Sequence, residues 1–325
     1  GSVRPAVAGS EGAAKDPAHT TQDNAEVGSR ERRFTSMKTQ ALCAALLLAI
    51  SDGVSAAQPF FFIQIADPQL GMFTENRDFA QETANLEFAV AAINRLRPAF
   101  VVVSGDLVNK PGDAAQILEY RRIIGRVDPW IPVYPVAGNH DIQNAPSPAD
   151  LEAYTRHFGP DHYVFRHGDF TGIVLNSVII HTPQHVADRL AAQEIWLKSE
   201  LGRARADGAR HIVVFAHHPW FLKTADEPDE YFNIPRERRE RHLAWFREAG
   251  VKALFSGHYH RNAMARDADL EAITTGPVGK PLGDGKSGLR IAIVRDAGIE
   301  HQFYHFGEIP TCVDLKPSGA GQALP

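Results

Sequence analysis

The chain has 325 residues, of which 44% are hydrophobic and 22% charged, as in an ordinary globular protein rather than a fibrous or disordered one. It carries 34 basic and 39 acidic side chains, a formal net charge of −5, and no run rich in Lys and Arg, which argues against a nucleic-acid-binding protein. Two cysteines, Cys43 and Cys312, are too few for a disulfide framework or a Cys-type zinc site, whereas fifteen histidines are many for this length.

The first 56 residues are predicted to lie outside the folded domain. Residues 1–36 are rich in Gly, Ala, Ser and charged side chains, and are interpreted as a disordered or tag-like leader. Residues 37–56 resemble a secretory signal peptide, with Lys38 near the start, an apolar run over 41–50 and small residues at 54–56. The apolar run is shorter than the roughly 20 residues that span a bilayer, so no stable membrane insertion is expected. On this interpretation the protein is exported, periplasmic or secreted; otherwise it is cytoplasmic.

Short apolar runs alternate with amphipathic stretches from residue 57 to about residue 260. Strands are predicted over 60–65, 100–103, 132–136, 172–175, 211–215 and 251–255, and helices over 79–96, 114–127, 187–206 and 236–249. This β–α alternation indicates an α/β fold. Beyond residue 260 the pattern predicts a hairpin-connected second sheet with strands over 272–275, 289–294 and 299–304. Residues 57–315 are therefore expected to form one domain, followed by a flexible tail over 316–325.

Polar residues follow the carboxyl end of nearly every predicted strand in the first part of the domain. They are Asp67 and Gln69, then Asp106, then Asn139, His140 and Asp141, then His217 and His218, and last His258 and His260. Because the carboxyl ends of strands in an α/β sheet converge on one crevice, five segments are expected to deliver carboxylate, amide and imidazole groups to one place. Glycines precede Asp106, Asn139 and His258, where they allow tight turns and close backbone approach.

These side chains are more ligands than one metal ion takes, which predicts two ions that share a bridging carboxylate. Two such ions stand about 3.5–4 Å apart and act together on an in-line displacement at phosphorus. Nitrogen and oxygen ligands without thiolate favour Mn, Fe, Zn or Co over Ca, whose sites are built from oxygen.

The motifs resemble those of the calcineurin-like metallophosphoesterases, whose pattern is D-x-H, G-D, G-N-H-D/E, a later His and G-H-x-H. More narrowly, the chain is similar to the calcineurin-like phosphoesterase domain-containing protein 1 group, through ADPQ at 66–69, GNHDI at 138–142 with Asn144, YFN at 231–233 and FSGHYHRN at 255–262. The resemblance covers about residues 59–304. It implies a four-layer αββα sandwich of the metallo-dependent phosphatase type, with two mixed β-sheets face to face and helices outside.

The resemblance also implies a ligand set for each of two metal ions. One ion would be held by Asp67, Gln69, Asp106 and His260, and the other by Asp106, Asn139, His217 and His258. Asp106 is then the bridge, and the implied nucleophile is a hydroxide held between the ions. His217 rather than its neighbour His218 corresponds to the lone histidine of the family.

Further roles follow from the same resemblance. His140 is the implied general acid for the leaving alkoxide, and Asp141 is the carboxylate expected to orient the His140 ring. Gln69 departs from the commoner His of the family, so it is either a weak ligand or a neighbour of the ligands. Asn109 stands where purple acid phosphatases carry a tyrosine ligand, which argues against an iron–tyrosinate enzyme.

Two segments are candidates for contact with the substrate. Arg261 and Asn262 directly follow the last predicted ligand, and Arg is suited to bidentate binding of phosphate. Residues 231–233 are either part of the pocket rim or a lead-in to the helix that begins after Pro235.

The function implied is metal-dependent hydrolysis of a phosphate ester. Phosphomonoesters are favoured, including small esters and phosphoserine or phosphothreonine on proteins. One alternative is a phosphodiesterase that acts on cyclic nucleotides or lipid-derived diesters. Another is a non-catalytic, metal-bound scaffold of the same fold, although His140 and Asp106, which such a scaffold would lose, are both present.

Overall fold

The computed structural model describes residues 58–316. The leader predicted at 1–36, the signal peptide predicted at 37–56 and the tail after residue 316 lie outside these residues, so those predictions stay predictions. No helix within residues 58–316 has the length and apolar character that crossing a bilayer requires.

Strands and helices alternate along most of this region. The strands are β1 (Phe60–Ile65), β2 (Val101–Val103), β3 (Val133–Pro135), β4 (Tyr163–His167), β5 (Phe170–Val174), β6 (His211–Phe215), β7 (Ala253–Ser256), β8 (Ala263–Asp267), β9 (Leu270–Thr274), β10 (Gly288–Arg295) and β11 (Gly298–His305). The helices are α1 (Ala80–Leu96), α2 (Ala114–Ile124), α3 (Asn139–Ile142), α4 (Pro148–Phe158), α5 (Ser177–His181), α6 (Ala187–Ala206) and α7 (Arg236–Ala249), followed by a 3-10 turn at Phe306–Glu308.

The strands form two mixed sheets. The first has the order β11-β10-β1-β2-β3, in which β1, β2 and β3 are parallel and β10 is antiparallel to both of its neighbours, β1 and β11. The second has the order β4-β5-β6-β7-β9-β8, in which the four central strands are parallel and the edge strands β4 and β8 are antiparallel.

Alternation of side chains along the strands produces the layers. Along β1, Phe61 and Ile63 pack in a core that includes residues of α1 and α2, whereas Phe62 contacts Phe215 and Phe255 of the second sheet, with ring centroids 5.7 and 5.3 Å away. The opposite face of the second sheet packs in a third core with residues of α6 and α7. Burial of a side chain such as Phe62 contributes roughly 1.5–3 kcal/mol. The predicted four-layer αββα sandwich of two mixed sheets is thus confirmed.

The sequence-based prediction for the chain beyond residue 260 is wrong in one respect. The expected hairpin forms as β10 and β11, but it extends the first sheet, where residues 60–64 pair with residues 290–294. The preceding strand, β9, pairs with β7 and β8 in the second sheet instead. Local patterning predicts a hairpin, whereas the sheet edge that it joins depends on pairing partners more than 190 residues apart in sequence.

Candidate metal centre and active site

Loops that follow strands of both sheets bring the predicted ligands together. Within residues 58–316, two groups of side chains have their ligand atoms within 4.8 Å of one another: Asp106, His217 and His258, and Asp67, Asp106 and His260. All five side chains are buried. Asp106 belongs to both groups, which is the position expected of a carboxylate that bridges two metal ions.

The backbone at these positions is strained. Among the described residues, ten non-glycine residues have positive φ, and five of them are predicted ligands: Asp67 (49°), Gln69 (39°), Asp106 (49°), His258 (66°) and His260 (54°). A left-handed conformation is unfavourable for residues with a Cβ, and such strain persists at functional sites where the surrounding structure enforces it. The strain therefore serves to direct these side chains inward at the ends of β1, β2 and β7.

Three glycines allow the ligand loops to approach one another. A Cβ added to Gly105 would overlap the His217 ring, and one added to Gly138 would overlap the backbone nitrogen of Asp106. A Cβ on Gly257 would lie 2.6 Å from the Asp67 carboxylate. The expectation of close backbone approach before Asp106, Asn139 and His258 is confirmed at each position.

We expect Gly138→Ala to disrupt the centre, because the new methyl group would displace the backbone of the bridging Asp106. The cost is about 1–3 kcal/mol of unfolding free energy, together with weaker metal binding. Gly202→Ala is the matched control: it lies in α6 with open space around the added Cβ, and should stabilise the helix by about 0.5–1 kcal/mol. Denaturant unfolding and metal titration would measure both effects, and unchanged metal affinity in Gly138→Ala would contradict the prediction.

The orientation of each ligand histidine is set by a backbone carbonyl. His217 Nδ1 lies 2.9 Å from the Ser104 oxygen, and His260 Nδ1 lies 2.6 Å from the Lys280 oxygen. His258 Nε2 lies 3.2 Å from the Tyr231 oxygen. A carbonyl oxygen can only accept, so each of these nitrogens carries the proton. The other nitrogen of each neutral ring therefore has a lone pair available for a metal ion.

The atoms that meet in the centre are acceptors, which identifies it as a cation site. His217 Nε2 lies 2.9 Å from Asn139 Oδ1, 3.1 Å from His258 Nδ1 and 3.3 Å from Asp106 Oδ2. When the His217 ring is neutral, its Nε2 lone pair faces the other acceptors, and a metal ion between them relieves the repulsion; without a metal ion, a second proton on His217 takes this place at neutral pH. Gln69 Oε1 is also buried and has no hydrogen-bond partner among residues 58–316, while its Nε2 donates to Asn109 Oδ1. The donor set of nitrogen and oxygen atoms thus fits metal ions.

The crowding also shifts pKa values. Burial disfavours the charged His217 ring, but the neighbouring carboxylates of Asp106 and Asp67 outweigh this and raise the pKa of His217 to about 9. Burial raises the pKa of Asp67 to about 6, against the opposing attraction of His260 and His217. For Asp106, the effect of burial is overcome by nearby imidazoles, chiefly His217, which hold its pKa below the usual range.

Metal affinity is expected to fall as the pH is lowered through about 6. A ligating carboxylate has to be ionised, and the raised pKa of Asp67 means that protons compete with the metal from pH 6 downward. Metal binding near pH 7 should also release a proton, because His217, with its pKa of about 9, has to become neutral. Calorimetric titration with Mn²⁺ at pH 5.5 and 7.5, in buffers of different ionisation enthalpy, measures both effects. Equal affinity at the two pH values would contradict the expectation.

The structure corrects the expected partner of His140. The Asp141 carboxylate accepts hydrogen bonds from three backbone N–H groups, those of Leu107, Val108 and Gly138, and so holds the β2 and β3 loops together. The Asn109 carbonyl oxygen, 2.9 Å from His140 Nδ1, orients the ring instead. Asp141 lies in the first turn of α3, where its carboxylate accepts the backbone N–H of Gly138, the residue before the helix.

The two predicted substrate contacts lie beside the ligand loop, where each has another partner. Arg261 is exposed, and its guanidinium donates to the Leu282 carbonyl at 3.3 Å and lies over the Tyr259 ring. The side-chain oxygen of Asn262 accepts hydrogen bonds from Arg290 and the Gly276 N–H. Asn262 therefore joins β10 to the end of β9, whereas the guanidinium group of Arg261 is exposed beside the ligand loop.

Several residues that orient the histidines of the centre cannot be recognised in the sequence, because they act through backbone atoms. The carbonyls of Ser104, Asn109 and Lys280 orient histidines, and every residue type has a carbonyl, so no sequence signal marks them. His218 also has a structural role, since it stacks on His181 and hydrogen-bonds Ser177. Residues 231–233 lie at the rim of the centre and do not serve only as a lead-in to α7. The Tyr231 and Phe232 rings pack on the His258 ring, with centroid distances of 4.9 and 5.6 Å.

Comparisons with known proteins agree with this site. The family model described as calcineurin-like phosphoesterase matches residues 62–262. The serine/threonine-protein phosphatase CPPED1 of Danio rerio is 38% identical over 266 residues, covering 77% of this chain and 86% of that protein. CPPED1 of Homo sapiens is 37% identical, with 77% and 85% covered.

A solved structure shares the fold at low sequence identity. Purple acid phosphatase PPD1 from yellow lupin (Lupinus luteus) seeds is similar with a TM-score of 0.59, at 12% identity, over 77% of this chain and 52% of that one. At this identity the similarity establishes the fold alone. From the match over residues 62–262 and the extensive identity with the two CPPED1 proteins, we conclude that the chain belongs to the calcineurin-like phosphoesterase family.

Proposed function

We propose that this protein is a phosphoric ester hydrolase with a dinuclear metal centre and that phosphomonoesters are its substrates. The observation that carries the proposal is the pair of buried ligand groups that share Asp106 and present acceptor atoms to one another. A centre of this kind suits displacement at phosphorus, where two ions clamp the attacking and leaving oxygens.

The ligand side chains would hold the two ions. Asp67, Asp106 and His260 surround one position, with Gln69 Oε1 as the additional oxygen; Asp106, His217 and His258 surround the other, with Asn139 Oδ1. When bound, the ions polarise phosphoryl oxygens and lower the pKa of water. Mn, Fe, Zn and Co are the candidates for a set of nitrogen and oxygen ligands.

His140 is the residue proposed to move a proton. Its ring belongs to neither ligand group, and its backbone N–H donates to Asp106 Oδ1 at 2.8 Å, which places it beside the centre. Nδ1 donates its proton to the Asn109 carbonyl, so Nε2 is the atom that would protonate a leaving oxygen when the ring carries a second proton there, and the ring would be left neutral. The Asp141 carboxylate would contribute indirectly, by holding the loops of β2 and β3 in register.

The preference for monoesters is supported by the relatives. Both reported CPPED1 proteins are named serine/threonine-protein phosphatases, and they are 37–38% identical to this chain over most of their length. We therefore propose phosphoserine and phosphothreonine residues on proteins, together with small phosphate monoesters, as the substrate class.

The proposal is tested with metal-stripped protein to which Mn, Zn, Fe, Co or Mg is restored. Hydrolysis of nitrophenyl phosphate is compared with that of bis-nitrophenyl phosphate, and a phosphoserine peptide is included. Metal-dependent turnover of the monoesters in excess of the diester is the expected result. Preference for the diester would replace the proposal with a phosphodiesterase, and no turnover despite stoichiometric metal binding would replace it with a non-catalytic scaffold.

We also propose that the protein is exported, on the signal-peptide pattern of residues 37–56. Expression of the full chain in a bacterium, followed by N-terminal sequencing of the periplasmic fraction, would test this. A mature protein that begins after residue 56 is the expected result, and intact chain confined to the cytoplasm would contradict it.

A further inference from the structure

The loop between β6 and α7 contacts the metal centre at His258 and has a defined conformation. Its organising residue is Glu227, whose carboxylate accepts hydrogen bonds from the backbone of Leu222 and Lys223 and from Asn233 Nδ2, at 2.7–2.8 Å. Asn233 Oδ1 in turn accepts the Glu230 N–H. Arg239, which is fully buried in α7, lies 3.7 Å from Glu227. These contacts fix the conformation of the loop, which is a requirement for a residue that binds a ligand precisely.

Tyr231 is the residue through which this loop contacts the centre. Its backbone oxygen accepts the proton of His258 Nε2, and its ring packs against the His258 ring with centroids 4.9 Å apart. Phe232 supports it from the other side, with ring centroids 5.2 Å apart. Yet 53% of Tyr231 is exposed, among the highest values for a large hydrophobic or aromatic residue in the described part of the chain. An anchored but exposed aromatic side chain beside metal ligands is suited to contacting a substrate.

The Tyr231 ring lies against His258, a predicted ligand of the metal position that Asp106, His217 and His258 surround. Burial and the nearby Asp106 carboxylate raise the pKa of this phenol, and an interaction with the Asn139 side chain opposes them. The Asn139 side chain has its own partners in the centre: Oδ1 lies 2.9 Å from His217 Nε2, and Nδ2 donates to Asn144.

Within residues 58–316, no acceptor takes the O–H of Tyr231, so this proton is available to a ligand. A phosphoryl group at the centre presents anionic oxygens, which are strong acceptors for a neutral O–H.

We propose that Tyr231 is a substrate-binding residue whose hydroxyl donates a hydrogen bond to a non-bridging oxygen of the phosphoryl group at the metal centre. The inference deepens the proposed function and rests on it, since it requires a phosphate ester at this site. The residue would bind ground state and transition state alike, so its removal affects KM more than kcat.

The test is Tyr231→Phe, which removes the hydroxyl and keeps the ring on His258. In Mn²⁺-loaded protein, we expect kcat/KM for nitrophenyl phosphate to fall roughly 10- to 100-fold, the value of a hydrogen bond to a charged group. The loss should appear in KM, and inorganic phosphate should bind more weakly by a similar factor in calorimetry. Metal content should equal that of the wild type. Tyr304→Phe is the matched control, because its hydroxyl contacts Gln302 on β11, in the sheet's edge hairpin.

Each outcome decides a separate point. Unchanged phosphate affinity in Tyr231→Phe would overturn the proposal. Loss of metal would overturn it too, since the hydroxyl would then serve to position Asn139. Phosphate binding is measured without turnover, so a wild-type protein that binds phosphate but hydrolyses no ester would refute the proposed function and still leave the role of Tyr231 tested.

Discussion

Asp106→Asn is expected to reduce turnover to that of metal-stripped protein. Asp106 is the one side chain shared by the two ligand groups within residues 58–316, so its neutralisation weakens both metal positions together. Asn keeps an oxygen for the His140 N–H, which Asp106 Oδ1 accepts at 2.8 Å, and has nearly the same volume. Any loss of turnover therefore reports on the negative charge of Asp106 and on the carboxylate oxygen that Asn lacks. The pKa of His217, which Asp106 raises, should fall at the same time.

Metal content by elemental analysis and kcat/KM for nitrophenyl phosphate would measure the effect. Asp113→Asn is the matched control, because Asp113 caps α2 by accepting the N–H groups of Ala115 and Gln116, and Asn serves equally well as an N-cap. The control should keep full activity and metal. Retention of two ions and wild-type turnover in Asp106→Asn would exclude a bridging role for this carboxylate.

His140→Ala should separate substrates according to their leaving groups. A positioned general acid contributes about 10²–10⁴-fold, so hydrolysis of a phosphoserine peptide, whose alkoxide needs a proton, is expected to slow by that factor. Hydrolysis of nitrophenyl phosphate should slow much less, because the nitrophenolate leaves without protonation. Metal content should be unchanged, since the His140 ring belongs to neither ligand group.

The measurement is kcat for the two substrates with matched metal loading. His185→Ala, at an exposed position between α5 and α6, is the control and should leave both rates unchanged. Equal losses on the two substrates would argue that His140 contributes to binding or to the arrangement of the centre. Loss of metal would show that it supports the Asp106 loop, to which its backbone is hydrogen-bonded.

Much of the site was predictable because its chemistry lies in side chains at the ends of strands. Asp67, Asp106, His217, His258 and His260 each follow a strand that the apolar pattern predicts, and parallel strands deliver such residues to one edge. The three glycines before Asp106, Asn139 and His258 were predictable for the same local reason, since only a residue without a Cβ allows loops to approach so closely.

The partners of these side chains required the tertiary structure. The His140 ring is oriented by the carbonyl of Asn109 and not by Asp141, its neighbour in sequence. Asn109 is 31 positions away along the chain, and the fold brings the two residues into contact. Tyr231 contacts His258 because the hydrogen bonds of Glu227 hold its loop against the centre.

The sequence by itself determined the alternation of strands and helices, and which polar side chains follow the strands as candidate ligands, because these depend on residue type and short-range pattern. The tertiary structure alone decided that the β10–β11 hairpin joins β1, and that backbone carbonyls set the proton positions of the ligand histidines. Both outcomes depend on pairing between backbone groups distant along the chain. Since every residue carries those groups, the amino-acid pattern cannot distinguish which of them will meet.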